Sequence, residues 1–220
     1  MTGVVYYGTQ LVLAADDDTT VDAFAIETRR HRGLRSFVGP VASVGRLWER
    51  VRDWHPAPVL VREYQPLYVL ERGALRAAGE AGVRPANLTD AETIAEQSAE
   101  MMIGELGYDP RQARAGFLAG VRYQIEAGNW WVWIVDGRLR FQCSVGSHSR
   151  HTAQIQGVWT PPSERGRGYA AAALGAIAQR LLERTPTLSL YVNDFNDAAI
   201  ALYERLGFVQ SGALATYLFP

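Results

Sequence analysis

The sequence predicts an α/β protein, and three observations support this fold class. Short extended runs of apolar residues alternate with segments in which apolar residues recur at helical spacing, and Gly or Pro separates most of them. Hydrophobic residues make up 48% of the 220 residues, enough for a core in one large or two small domains. An extended run at 153–160 leads through a glycine-rich loop into an Ala- and Leu-rich helix. We therefore expect helices to pack on a sheet.

Four short strands and two helices are predicted in the first 80 residues. In chain order the segments are residues 4–7, 10–15, 20–32, 36–38, 41–54 and an extended pair at 59–61 and 67–70. Residues 18–20 offer N-cap side chains for the first helix, and Pro66 interrupts the last extended pair. The order of elements is therefore that of a small α/β unit.

The remaining chain predicts five strands and four helices. In chain order the segments are 83–86, 89–103, 110–128, 130–135, 138–145, 153–160, a helix that begins near Tyr169, 188–192 and a last helix that Asn196 caps. Thr89 followed by Glu92 has the pattern of a capping box, and Asp109 before Pro110 predicts an N-cap with proline at the first helical position. Asp136 and Gly137 predict a hairpin turn between two strands.

Strict alternation predicts which residues of two strands share a face. One face of the strand at 138–145 carries Leu139, Phe141, Cys143 and Val145, so Cys143 is expected to be a buried core thiol and not a nucleophile. In the strand at 153–160, one face carries Gln154, Gln156, Val158 and Thr160, and the other carries Ala153, Ile155, Gly157 and Trp159. We expect a bulge at Gly157.

The loop at 165–170 has the composition of a pyrophosphate cradle. Gly166 and Gly168 remove the Cβ atoms that would keep a ligand from the main chain, and a helix starting near Tyr169 adds the positive end of its dipole. A plain strand-to-helix connection or a dinucleotide-binding turn are the alternatives. A dinucleotide-binding turn requires the Gly-x-Gly-x-x-Gly fingerprint at the first βα turn of the chain. This loop lies late in the chain and has Ala171 in place of the third glycine.

A second motif about 30 residues later makes the loop more specific. Together the two motifs resemble those of the GNAT superfamily of acyl-CoA-dependent N-acyltransferases. The matching residues are Arg165, Gly168 and Ala170 in the loop, followed by Asn196, Ala199, Leu202, Tyr203, Gly207 and Phe208. The resemblance covers residues 83–220 and implies a GNAT domain with a mixed, mostly antiparallel, twisted sheet flanked by helices.

The first half lacks both motifs, but its order of elements resembles the partial GNAT-like half that precedes the catalytic domain in one group of bacterial members. The expected organisation is therefore a partial GNAT-like α/β domain at 1–80 and a GNAT N-acetyltransferase domain at 83–220, with a linker at about 71–82. The alternative for the first half is an unrelated small α/β cap.

The resemblance also implies the contacts of the cosubstrate, acetyl-CoA, and implies no metal. The strand at 153–160 would diverge from the strand at 188–192, and the pantetheine arm would enter the gap between them. The residues expected to bind coenzyme A are Val158, Trp159 and Thr160 through their backbone, Arg165, Gly166, Arg167, Gly168, Tyr169, Ala170 and Ala171 in the cradle, and Asn196 at the last helix.

Aminolysis of a thioester requires a neutral amine, a stabilised oxyanion and a proton for the departing thiolate. By resemblance Tyr203 is the general acid, the alternative being a core tyrosine on an amphipathic helix. Some relatives carry a glutamate base on the strand at 153–160, where this chain has glutamines that cannot accept the ammonium proton. The resemblance implies that the segment between the first two helices of the domain borders the acceptor groove, and Glu105, which lies in that segment, is our candidate base. His148 and His151 are expected to be exposed loop residues.

The implied reaction is transfer of an acetyl group from acetyl-CoA to a primary amine, on a small molecule or a protein, by direct attack in a ternary complex. The alternatives are a non-catalytic acyl-CoA-binding sensor and a tandem GNAT-like transferase that uses aminoacyl or peptide substrates. Nucleic acid and membrane are not expected as partners, and a homodimer is possible. The formal net charge of −1, the single cysteine and the absence of a leader pattern or a long apolar run predict a cytoplasmic protein.

Overall fold

The computed structural model describes residues 2–31, 33–76 and 82–220. Within them the helices are α1 Asp18–Thr28, α2 Val41–Val51, α3 Ala91–Leu106, α4 Arg114–Glu126, α5 Tyr169–Leu182 and α6 Asp197–Leu206. The strands are β1 Gly3–Tyr7, β2 Gln10–Ala15, β3 Ser36–Pro40, β4 Leu60–Glu71, β5 Arg84–Pro85, β6 Trp130–Val135, β7 Arg138–His148, β8 Thr152–Trp159, β9 Thr187–Tyr191 and β10 Val209–Leu218. None of the helices in the described residues is long and apolar enough to cross a membrane.

The predicted α/β class with a mixed sheet flanked by helices is confirmed. Strands β2 and β3 are parallel, as are β8 and β9, whereas β1 with β2, β3 with β10, and β5 through β8 pair antiparallel. Contacts divide the chain into two compact units, of which the first comprises residues 1–67, 191–197 and 210–220 and the second the rest. These compact units are defined by contacts within the chain and do not test the predicted domain boundary at 80–83, which stays a prediction. Part of the predicted linker, 77–81, lies outside the described residues.

In the first unit, α1 and α2 cover strands β1, β2, β3 and β10 around a core that includes Leu11, Phe37 and Leu47. The N-cap of α1 is Asp17, one residue before the predicted cap candidates at 18–20, and its side chain accepts a hydrogen bond from the Thr20 amide at 2.7 Å. The extended pair predicted on either side of Pro66 is one strand, β4.

In the second unit, strands β5 to β9 run in the order β9, β8, β7, β6, β5, and α3 and α4 pack on β6 and β7. The predicted capping box at Thr89 and Glu92 was wrong. Asn87 and Asp90 form the box instead, two residues earlier, because a 3₁₀ turn at Leu88–Asp90 precedes α3. Arg84 on β5 donates two hydrogen bonds to the Asp90 carboxylate and fixes this entry to the helix.

A β-bulge in β7 overturns the predicted pattern of faces in that strand. Leu139 pairs with Ile134 and Phe141 pairs with Trp133, so Arg140 is the extra residue on β7. Leu139 therefore points to the face opposite Phe141 and joins the core cluster under α3. The predicted grouping of Leu139 with Phe141 was wrong because alternation assumes an unbroken ladder.

A second irregularity lies in β8 and confirms the bulge predicted at Gly157. Gln156 pairs with Ser144 and Trp159 with Gln142, and Gly157 has φ +61°. Directly paired residues share a face, so Gln156 and Trp159 lie on the same face of the sheet. Strict alternation had placed them on opposite faces, and that prediction was wrong beyond the bulge.

Candidate active site

Strands β8 and β9 diverge in the second unit. Their parallel pairing joins Thr152–Gln154 to Thr187–Ser189, and the ladder ends there within the part of the chain that the structure describes. The rest of β8, beyond Gln154, is left without β9 as a neighbour. The end of this ladder agrees with the divergence that the GNAT resemblance implies for these two strands. The pantetheine arm between them stays a prediction.

The end of β8 carries three residues predicted to bind coenzyme A. The Trp159 indole nitrogen donates to Gln97 Oε1 on α3 at 3.0 Å, which fixes the ring toward α3. Thr160 follows the strand, and its Oγ1 atom is buried without a hydrogen-bond partner among the described residues. A buried unpaired hydroxyl costs free energy unless a ligand or water satisfies it. The contacts predicted for the main chain of Val158, Trp159 and Thr160 stay predictions.

The cradle has the backbone geometry that its glycines predicted. Gly166 has φ +74° and Gly168 φ +80°, both in the left-handed region that side chains other than glycine rarely adopt. Gly168 is the N-cap of α5, and among the residues that the structure describes no side chain caps the first amides of the helix, those of Tyr169, Ala170 and Ala171. A Cβ at Gly166 or Gly168 would meet no heavy atom within 4 Å, so there is open space beside both residues.

Arg165 contacts the end of β8. Its Nε donates to the Thr160 carbonyl at 3.1 Å, and its guanidinium lies 4.8 Å from the centre of the Trp159 ring. Arg165 therefore fastens the start of the loop to the end of β8. The contact of Arg165 with the cofactor stays a prediction. The observed contacts favour a structural role for Arg165 in the loop.

Two residues of the loop region were missed by the sequence analysis. Glu164 is buried, with 8% of its side chain exposed, and pairs with Arg140 from β7 and with Arg167 of the loop. The sequence analysis gave Arg140 no role, and no spacing rule connects it to a residue 24 positions later. The sequence offered one signal, since Glu164 is an acidic residue directly before an arginine-rich loop. This residue has no counterpart in the GNAT motif.

The residues of the cradle fit a pyrophosphate on the geometry of this structure. The amides at the start of α5 have no intrahelical acceptors, and the space beside Gly166 and Gly168 is open. Two arginines, Arg140 and Arg167, pair with the Glu164 carboxylate beside the loop, so this cluster carries a net positive charge, which favours an anion. Coenzyme A carries a pyrophosphate and an extended pantetheine arm, and the cradle lies on the same loop that leaves β8.

Tyr203, the predicted general acid, lies on α6 and is 5% exposed. Its ring packs near Tyr68 and Phe208, with centroids at 6.2 and 6.0 Å. Burial raises the pKa of the Tyr203 phenol well above its ordinary value, and the charge of Glu105 raises it further. The phenol therefore keeps its proton throughout the neutral range.

Glu105, the predicted base, lies in the last turn of α3 and not between the helices, because α3 continues to Leu106 before Gly107 ends it. Its side chain is exposed. Its charge acts on Tyr203, so the two predicted catalytic residues are within electrostatic reach of each other. Their roles stay predictions.

Asn196 belongs to the first unit and directly precedes α6. Its amide donates to the Asn193 carbonyl at 2.9 Å, which closes a turn before the helix. Asn196 takes part in a further interaction in the structure, and its predicted contact with the pantetheine arm stays a prediction.

Three other predictions concern residues around the site. Cys143 is fully buried, and burial raises the pKa of its thiol, which confirms a core thiol. His148 and His151 are exposed, as expected. Trp130 and Trp131 of β6 are also buried, and Trp133 is partly buried, so this strand contributes an aromatic part of the core.

Family models match both halves of the chain. Residues 96–208 match the acetyltransferase (GNAT) family, and residues 1–94 match a family described as a domain of unknown function, DUF4081. An acetyltransferase of Yersinia pestis (strain Pestoides F) is 32% identical over 65 residues, which are 29% of this chain and 46% of that protein. The match therefore spans about half the length of this curated relative.

Solved structures share the fold over nearly the whole chain. A putative GNAT acetyltransferase from Novosphingobium aromaticivorans matches with a TM-score of 0.59 at 21% identity, covering 94% of this chain and 82% of its own. A GCN5-related N-acetyltransferase from Kribbella flavida matches with a TM-score of 0.64 at 20% identity, covering 96% and 81%. The predicted GNAT resemblance is confirmed by the family model, which matches more than half of the 220 residues. The chain belongs to the GNAT acetyltransferase family.

Proposed function

We propose that this protein transfers an acetyl group from acetyl-CoA to a primary amine by direct attack in a ternary complex. The observation that carries the proposal is the cradle at the start of α5. Its left-handed glycines and unsatisfied amides suit a pyrophosphate, and β8 leaves β9 on the chain segment that leads into it. The pantetheine arm would run along the main chain of Val158, Trp159 and Thr160. Arg167 would help the cradle to bind the pyrophosphate.

In this proposal Tyr203 protonates the departing thiolate. Since burial raises its pKa, the phenol is always in the protonated form when the amine attacks. The same shift makes the phenol a weaker acid, so its contribution is a hydrogen bond that strengthens as negative charge develops on the sulfur. Backbone amides at the end of β8 would stabilise the oxyanion of the tetrahedral intermediate.

The attacking amine must lose a proton, and Glu105 is the proposed acceptor for it. Gln154 and Gln156 on β8 have neutral amides, which cannot serve as a base. Glu105 is exposed at the end of α3, a position that an incoming ammonium group can reach directly or through one water. The catalytic chemistry is proposed for residues 83–220, and the amine acceptor and the part of residues 1–80 are left open.

The first expected result is that acetyl-CoA binds and stabilises the folded protein. A ligand that binds only the native state adds about 2.7 kcal/mol to the free energy of unfolding at a hundredfold excess over its Kd. A thermal shift measured with ligand-free protein and millimolar acetyl-CoA checks this result. No shift, together with no heat of binding in calorimetry, would reject the proposal.

Turnover separates a transferase from a non-catalytic acyl-CoA sensor. A panel of primary amines, including polyamines, aminoglycosides, lysine and peptide N-termini, is assayed for release of free thiol from acetyl-CoA. A transferase releases thiol faster with at least one amine than without any, and the acetylated product appears in the mass spectrum. Tight binding of acetyl-CoA with no acceleration by any amine favours the sensor.

The second expected result concerns Glu105→Gln. Near neutral pH the variant should lose about 10²-fold in kcat/KM, because a general base is worth about 10²- to 10⁴-fold. The loss should shrink as the pH rises toward the pKa of the acceptor amine, since the amine then needs no base.

The matched control is Glu126→Gln, which changes an exposed carboxylate at the end of the neighbouring helix α4. A pH profile of kcat/KM for wild type and both variants provides the measurement. If the Glu105→Gln profile parallels the wild type at every pH, Glu105 is not the base.

A further inference from the structure

A buried ion-pair cluster stands beside the cradle, formed by Arg140, Glu164 and Arg167. The Glu164 carboxylate binds both arginines, with Oε1 paired to Arg140 and Oε2 accepting from Arg167 Nη1 at 3.1 Å. Arg140 is 15% exposed and Arg167 is 57% exposed at their side chains. One arginine is therefore held inside the protein and the other reaches solvent from the loop.

The bulge in β7 brings Arg140 to this position. As the extra residue between Leu139 and Phe141, Arg140 turns its side chain toward the start of α5. Its guanidinium lies 5.5 Å from the centre of the Tyr169 ring, which also packs edge-on against Trp133 at 5.1 Å. Arg140 thus contacts residues at both ends of the loop, Glu164 before it and Tyr169 after it.

The sign of the charge on Glu164 is the informative feature. A carboxylate next to a pyrophosphate repels it, and a buried charge also has a desolvation cost. Glu164 is nevertheless the one carboxylate of the cluster, and two arginines share it. A residue that only contributed to the electrostatic field of this site would weaken the binding of an anion. Its contacts instead suit a residue that holds other groups in place.

We propose that Glu164 and Arg140 are positioning residues for the coenzyme pyrophosphate. This inference rests on the proposed function, because it assumes that the cradle binds acyl-CoA. Glu164 holds the Arg167 guanidinium at the edge of the cradle, and Arg140 holds Glu164 and Tyr169 so that the loop and the first amides of α5 keep the geometry that the anion requires. Neither residue belongs to the family motif of the loop.

Glu164→Gln tests the proposal by the direction of its effect. The substitution preserves size and removes the charge, so electrostatic repulsion alone predicts tighter binding of acetyl-CoA. Loss of the ion pairs releases Arg167 and Arg140, and positioning therefore predicts an affinity at least tenfold weaker. Arg140→Met should have the same effect, and Arg140→Lys a smaller one, because lysine keeps the charge without the planar fork.

A comparison of ligands distinguishes positioning from a general loss of structure. The affinities of acetyl-CoA, 3′-dephospho-acetyl-CoA and S-acetylpantetheine are measured for wild type and Glu164→Gln. The first two ligands carry the pyrophosphate and should lose affinity by the same factor. S-acetylpantetheine lacks it and should bind wild type and variant alike. An equal loss for all three ligands would overturn the proposal.

Glu183→Gln is the matched control, since Glu183 is exposed at the far end of α5 and the charge change is the same. If Glu164→Gln does not fold, the double variant Arg140→Met with Glu164→Gln removes both buried charges and should show the same selective loss. Unchanged or tighter binding of acetyl-CoA by these variants overturns the inference alone. A wild-type protein that binds no acetyl-CoA overturns the proposed function and the inference with it.

Discussion

Tyr203→Phe is expected to lower kcat by about 10²- to 10⁴-fold while the affinity for acetyl-CoA stays nearly unchanged. The substitution removes one hydroxyl and keeps the ring, which packs against Tyr68 and Phe208. The loss should therefore fall on the chemical step. It should be smaller with acyl donors whose leaving thiol has a lower pKa, because such thiolates need less protonation.

The pH dependence of wild-type activity is a second test of the role of Tyr203. Because the pKa of Tyr203 is raised, the phenol stays protonated through pH 10, and no loss of activity below that pH should come from its ionisation. Tyr123→Phe on α4 is the matched control, since this tyrosine is 68% exposed. Equal kcat for wild type and Tyr203→Phe, where chemistry limits turnover, would leave Tyr203 as a core residue.

Gly168→Val is expected to weaken acetyl-CoA binding by about 100-fold or more. Gly168 has φ +80°, so a β-branched residue there is strained, and its side chain would fill the open space beside the cradle. Each hydrogen bond to a charged group is worth about 1.5–3 kcal/mol, and a displaced pyrophosphate would lose more than one. Calorimetry with acetyl-CoA measures the change.

The strain at a left-handed position has to be separated from the obstruction of the ligand. Gly128→Val provides this control, because Gly128 has φ +74° and equally open surroundings in the turn after α4. Both variants should lose a similar amount of thermal stability, and only Gly168→Val should lose binding. If the two variants bind acetyl-CoA equally well, the loop is only a connection between β8 and α5.

The backbone geometry of the loop that we propose as the cofactor site was predictable, because its determinants are local in the chain. The glycines of the cradle and the first residue of the helix that follows them lie within residues 166–169. Their backbone conformation depends on those residues themselves. The bulge at Gly157 was likewise predictable from one glycine in a strand. The family motif extended this reading to Asn196 and Tyr203 through a fixed spacing.

The fold class, the cradle and the membership of the GNAT family were thus determined by the sequence alone, since short-range spacing carries them. Tertiary structure decided which distant residues meet there. The extra residue at Arg140 has no sequence signal, yet it reverses the faces of Leu139 and Phe141 and brings a guanidinium to Glu164. The bulge at Gly157 similarly turns Trp159 toward Gln97. A one-residue shift in a ladder changes every face beyond it, and only the paired strands reveal where that shift occurs.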